Sequence, residues 1–129
     1  MKLEGLDHIA LAVRNVEESM KWYGEVLGLE RQHADVWNDI PIFVGQGQTG
    51  IALFPVEDAE SSLGDNQSER MLHFALRADG ENFEQAQREL KARGIEFRFE
   101  DHGIAHSIYF RDPNGLNLEI TTYEVSDRR

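Results

Sequence analysis

The sequence predicts an α+β fold made of two β-α-β-β-β units in tandem, which together form one cupped mixed sheet. Three observations predict it. The chain has 129 residues, enough for a single domain and too few for two independent cores, so any internal repeat has to share one core. The stretch LDHIALAVR, residues 6–14, aligns on MLHFALRAD, residues 71–79, with a shift of 65, and Leu27-Gly28-Leu29-Glu30 falls on Arg93-Gly94-Ile95-Glu96 with a shift of 66. Extended and helical patterns then follow each match in the same order.

The first unit spans residues 5–56. Leu6 to Arg14 is short and apolar with small residues at alternate positions, which reads as a strand. Asn15 followed by Glu18 makes a capping-box pattern, and Val16, Met20, Tyr23 and Leu27 recur at helical spacing. Gly28 stands where a left-handed residue ends a helix. Three extended stretches come next, Leu29 to Val36, Ile40 to Gly45 and Gly50 to Val56, parted by Asn38-Asp39 and by GQGQTG. Residues 57–69 are acidic and nearly free of large apolar side chains, so they read as a linker that forms no packed element. The second unit, residues 70–124, repeats the order: a strand from Met71 to Arg77, a helix carrying Phe83, Ala86 and Leu90 and ending at Gly94, then strands near 95–100, 105–111 and 116–123.

Composition narrows function. Lys and Arg number 13 against 24 Asp and Glu, a net charge of −11, so a phosphate backbone would be repelled and nucleic acid is a poor partner. There is no cysteine, which removes disulfides, thiolate nucleophiles and zinc-thiolate sites and leaves His and carboxylate as metal ligands. The N-terminus lacks a basic region followed by an apolar stretch, and no run approaches the ~20 apolar residues a membrane helix needs. A cytoplasmic protein with no membrane partner is the expectation.

Strand alternation then sorts candidate chemistry by face. His8 shares a face with Leu6, Ala10 and Ala12. In the last strand Asn117, Glu119, Thr121 and Tyr123 form a polar face opposite Leu116, Leu118 and Ile120. A carboxylate on an inward face needs a partner, and a divalent cation held with two imidazoles would offset its desolvation. Taken alone, a strand His is more often a satisfied structural residue. The equivalence of His8 and His73 under the repeat favours the metal instead, with His8, His73 and Glu119 as ligands on one side of an octahedron.

From LDHIALAVRNVEESMKWYGEVLGL through LHFAL to YFRDPNGLNLEI the chain resembles the vicinal oxygen chelate superfamily, which includes glyoxalase I, extradiol dioxygenases, fosfomycin-resistance proteins and bleomycin-binding proteins. The resemblance implies that the two equivalent His and the Glu of the closing strand bind a divalent metal, with Fe(II) favoured and Mn(II) the alternative. Glyoxalase I enzymes carry a fourth ligand on the last strand of the first unit, where GIALFPV offers Ala52 or Phe54 and no donor. The resemblance further implies catalytic roles for His102 and Tyr109, in DHGIAHSIYFRDPNG; the residues alone equally allow a solvated loop His and a half-buried strand Tyr. Ser107 and Arg111 share the Tyr109 face and are candidate substrate contacts, while Trp37, Phe43 and Phe54 are candidates for an apolar pocket wall. His33 and His106 carry no role that the sequence supplies.

The implied activity is that of a metal-dependent enzyme on a small oxygen-chelating substrate, an extradiol-type dioxygenase in first place. A redox-neutral isomerase, epimerase or fosfomycin-type addition enzyme is the alternative, and a metal-free binding protein is a third. A homodimer is expected, since the larger dioxygenases of the family are two-domain chains of twice this length.

Overall fold

The computed structural model describes residues 1–2, 4–59 and 71–125. Its contacts divide into two compact units, Met1–Gln67 and Ser68–Arg129. Each is a four-stranded mixed sheet with a helix on one face, so the predicted β-α-β-β-β order holds in both.

In the first unit β1 (His8–Val13) leads into α1 (Val16–Leu27), followed by β2 (Glu30–Gln32), β3 (Ile42–Gln46) and β4 (Thr49–Pro55). The Asn15 side chain accepts the Glu18 backbone N–H at 2.9 Å, and Gly28 at φ 73° ends the helix, both as the sequence indicates. Sheet order is β1-β4-β3-β2, with β1 parallel to β4 and the other pairs antiparallel. Leu11 and Val13, Ile42 and Val44, and Ile51 and Leu53 all fall on the face that meets α1 and are buried there with Tyr23. The opposite face carries His8, Ala10 and Ala12 on β1, Gly50, Ala52 and Phe54 on β4, and Phe43 and Gly45 on β3.

Two expectations need correction here. The extended stretch expected over Leu29–Val36 ends at Gln32, because His33, Asp35, Trp37, Asn38 and Asp39 all have positive φ, between 52° and 67°. A left-handed backbone cannot continue a ladder, and Trp37–Asp39 form a short 3-10 turn instead. The linker expected over 57–69 also starts too early, since Val56–Ala59 make one helical turn, α2, that contacts β4 and β1. Its acidic residues Glu57 and Asp58 sit in that first turn, where the helix dipole favours negative charge. The rest of the proposed linker lies outside the described residues.

The second unit runs β5 (Phe74–Arg77), α3 (Gly80–Ala92), β6 (Arg98–Asp101), β7 (His106–Arg111) and β8 (Asn117–Thr122). Its sheet order, β5-β8-β7-β6, reproduces the first, again with one parallel pair, β5 with β8. Ile108, Phe110, Leu118 and Ile120 are buried on the α3 side together with Phe83 and Leu90. His73, just ahead of β5, and Ala75, Glu119, Ser107, Tyr109, Arg111 and Arg98 share the other face. No helix among the described residues is long and apolar enough to cross a membrane.

Candidate metal centre

The helix-free face of the second unit is set by two turns. In Asp112-Pro113-Asn114-Gly115 the buried Asp112 carboxylate accepts the backbone N–H groups of Asn114 and Leu116 at 2.8 and 2.9 Å, and Gly115 supplies the required positive φ of 82°. That turn fixes the β7–β8 register and sets Tyr109 opposite Glu119 and Ser107 opposite Thr121. Between β6 and β7 the Asp101 side chain accepts the Gly103 N–H at 2.8 Å, and the His102 N–H bonds the Ala105 carbonyl at 2.8 Å. His102 is thereby turned back toward Tyr109.

Glu119 is the centre of the arrangement. It is only 8% exposed, and its Oε1 lies 2.9 Å from His73 Nε2. Its Oε2 accepts the Ser107 hydroxyl at 2.6 Å. Tyr109 packs its ring edge-on to His73, with centroids 5.6 Å apart, and its hydroxyl lies 3.0 Å from His102 Nε2. Burial, the charges of Glu119 and Glu100, and a hydrogen bond to Glu119 push the Tyr109 phenol above its ordinary value of 10.0, so it is a neutral donor at physiological pH. The Arg98 guanidinium sits 4.8 Å over the Tyr109 ring, with its Nε donating to Glu100 at 2.9 Å. Beside them is an open cavity of about 530 Å³ whose lining includes Arg98, Tyr109, Arg111 and Asn117.

Of the predicted site residues, the structure thus gathers His73, Glu119, Ser107, Tyr109 and His102 within one unit, with Arg111 on the same face. His8 belongs to the first unit, at the start of β1, where its Nδ1 lies 2.8 Å from Asp7 Oδ2 and its ring meets Phe43 edge-on at 5.1 Å. Phe43 is almost fully buried, Phe54 is half-buried opposite Ala12, and the half-exposed Trp37 leans on Phe43 with centroids 5.5 Å apart. Among the described residues no group of three or more His, Asp or Glu side chains is assembled to hold an ion; His73 and Glu119 form a pair.

The register also decides between Ala52 and Phe54. Glu119 pairs with Ala75, two residues beyond His73, and Ala52 pairs with Ala10, two residues beyond His8. Ala52 therefore holds the Glu119 position of the first unit, and that position has no donor.

Sequence reasoning missed Arg98 and Glu100 and placed Thr121 on the polar face with no part to play; the parts of all three depend on register. Arg98 faces Tyr109 and Glu100 faces Ser107 across β6–β7, pairings that the sequence could supply only once the turn over 102–105 was placed. His33 also gains a place, edge-on to both Phe43 and Trp37 at 5.1 and 5.6 Å. His106 turns to the α3 side and meets Phe99 at 5.2 Å.

Comparison with known proteins places this geometry in a family. Glutathione transferase FosA of Serratia marcescens is 29% identical over 126 residues, covering 98% of this chain and 86% of that protein. Metallothiol transferase FosB of Staphylococcus epidermidis is 29% identical over 134 residues, covering 99% and 88%. The crystal structure of lactoylglutathione lyase from Agrobacterium tumefaciens matches with a TM-score of 0.75 over 95% of this chain and 96% of that one, at 21% identity, a likeness of fold alone. The Glyoxalase/Bleomycin resistance protein/Dioxygenase superfamily model matches residues 5–120. The chain belongs to that superfamily, the vicinal oxygen chelate proteins.

Proposed function

We propose that this protein is a divalent-metal-dependent enzyme that transfers a thiol to a small substrate presenting neighbouring oxygens, a redox-neutral reaction of the fosfomycin-modifying type. The observation that carries the reading is the Glu119–His73 pair, a nearly buried carboxylate facing an imidazole at 2.9 Å. Such a carboxylate is costly to bury alone and suits a hard or borderline cation. His73 and Glu119 would hold the ion with His8, of the same chain or of a second copy in a homodimer. His8 is supported by its equivalence to His73 under the repeat. When bound, the ion supplies Lewis acidity and orients the substrate oxygens; Mn(II) suits a reaction with no electron transfer, and Fe(II) is not required.

The chain's own groups do the rest. Tyr109, held neutral, donates a hydrogen bond to a substrate oxygen that gains charge, and His102 at 3.0 Å can replace that proton. Arg98 and Arg111 bring positive charge to the same cavity, which suits an anionic substrate group. Trp37 and Phe43, in contact on the first unit, and Phe54, on the same sheet face as Phe43, are proposed as its apolar substrate contacts.

Thiol transfer is favoured over ring cleavage by the two relatives above, which are named as a glutathione transferase and a metallothiol transferase and align along nearly the whole chain. The His102–Tyr109 contact keeps an extradiol dioxygenase as the second reading. The test is a paired assay of Mn(II)- and Fe(II)-loaded protein. Small phosphonate and carboxylate epoxides with glutathione or another low-molecular-weight thiol are followed by mass for the thioether adduct, and catechols by oxygen uptake. Adduct formation without oxygen uptake supports the proposal; oxygen uptake without adduct replaces it with the second reading.

A further inference from the structure

We propose that Ser107 and Thr121 are positioning residues that hold Glu119 so that it offers a metal one oxygen and not two. The inference rests on the metal reading above and concerns how the carboxylate is presented. Its two oxygens have different surroundings: Oε1 faces His73 at 2.9 Å, while Oε2 accepts the Ser107 hydroxyl at 2.6 Å. The second contact has the length of a charge-assisted O–H···O bond.

Ser107 has two side-chain oxygens in reach, Glu119 Oε2 at 2.6 Å and Thr121 Oγ1 at 3.0 Å. It is fully buried, so its hydroxyl has no water to turn to, and an ionised carboxylate can only accept. The single Ser107 proton goes to Glu119, the shorter of the two contacts and the one with a carboxylate acceptor. Its oxygen lies 3.0 Å from Thr121 Oγ1, and Thr121 Oγ1 is in turn 3.3 Å from the His106 carbonyl. Neighbouring rungs of the β7–β8 ladder supply all of these groups, Ser107 opposite Thr121 and Tyr109 opposite Glu119. With the Ser107 proton on Glu119, the single Thr121 proton serves either the Ser107 oxygen or the His106 carbonyl, and the register seats both hydroxyls beside the carboxylate.

A metal drawn onto Oε2 as well would compete with the Ser107 proton for that oxygen and pull the carboxylate from the rotation that the 2.6 Å bond sets. Monodentate ligation keeps that bond and leaves one more coordination position open. For a protein that must admit two substrate oxygens beside its own ligands, that position decides whether the substrate can chelate. Outer partners of this kind orient metal ligands in general. Ser107 acts here through Glu119 and has no exposed atom with which to touch a substrate.

The test counts exchangeable waters on bound Mn(II), by water-proton relaxation with affinity measured in parallel, in wild type, Ser107→Ala, Thr121→Val and Thr121→Ser. The expected result is one fewer exchangeable water in Ser107→Ala, as Oε2 is freed to bind. A change in the same direction is expected for Thr121→Val, which keeps the side-chain shape, and the wild-type count for Thr121→Ser. An unchanged count in Ser107→Ala and Thr121→Val overturns the inference and leaves the metal site standing. Should Ser107→Ala fail to fold, Thr121→Val against Thr121→Ser decides the matter alone. Wild-type protein that binds no Mn(II) overturns the metal reading and this inference with it.

Discussion

Tyr109 occupies in the second unit the place that Phe43 occupies in the first. Phe43 pairs with Ala52 and meets His8 edge-on at 5.1 Å; Tyr109 pairs with Glu119 and meets His73 edge-on at 5.6 Å. One repeat therefore presents His, Phe and Ala where the other presents His, Tyr and Glu. The same scaffold position is an apolar prop in one unit and a polar group in the other, and the polar chemistry has collected in the second.

That asymmetry makes Ala52→Glu an informative substitution. Ala52 is buried at 1% exposure beneath Phe43, and the first unit has no buried hydroxyl at the place equivalent to Ser107, where Pro41 stands. A carboxylate there is overpacked and poorly bonded, so the expected loss is roughly 2–5 kcal/mol. Chemical denaturation measures it, and metal stoichiometry is expected to stay at the wild-type value. A stable variant binding a second ion would show that the hydroxyl partner is dispensable.

Tyr109 gives a pH signature. Its phenol ionises at higher pH folded than unfolded, so between the two values the folded chain holds more protons. The contribution to stability is complete below about pH 10 and is lost as pH rises through the raised folded value. Metal-free Tyr109→Phe is therefore expected to lose stability less steeply than wild type from pH 9.5 upward, as read from thermal midpoints at closely spaced pH. Parallel curves would mean that the phenol is not held in its neutral form.

The β3–β4 hairpin separates two glycines. A methyl on Gly45 would fall on the Thr49 carbonyl, which is backbone, whereas one on Gly50 would first meet the Gln32 amide oxygen at 2.8 Å, the end of a flexible side chain. Gly45→Ala is expected to cost on the order of 1–3 kcal/mol and Gly50→Ala less. Equal costs in denaturant titrations would mean that Gln32, bonded to the Gly47 carbonyl at 3.1 Å, is as rigid as backbone.

Much of this was legible in the sequence for identifiable reasons. Asn15 and Gly28 mark α1 because capping is local chemistry, and the repeat of LDHIALAVR on MLHFALRAD carries strand, helix and His together. The His73–Glu119 pair followed from parity and repeat, although 46 residues separate the two. What could not be read was what depends on register or on left-handed backbone. Ser107 shares a face with Tyr109 in any register, but its bond to Glu119 needs the 112–115 turn to be counted correctly. The early end of β2 came from five non-glycine residues at positive φ, a conformation that His33 and Trp37 do not announce.

His8, His73 and Glu119 are proposed to hold one divalent ion. The most direct test is Mn(II) titration, by calorimetry and by metal analysis after gel filtration, of wild-type protein beside His8→Ala, His73→Ala and Glu119→Gln. Close to one ion per chain is expected in wild type and affinity lowered by at least about 100-fold in each variant, beyond the 10–100-fold typical of outer-sphere partners, with far-UV circular dichroism unchanged. Wild-type protein retaining less than about 0.1 equivalent, or variants that bind Mn(II) as wild type does, would contradict the proposal.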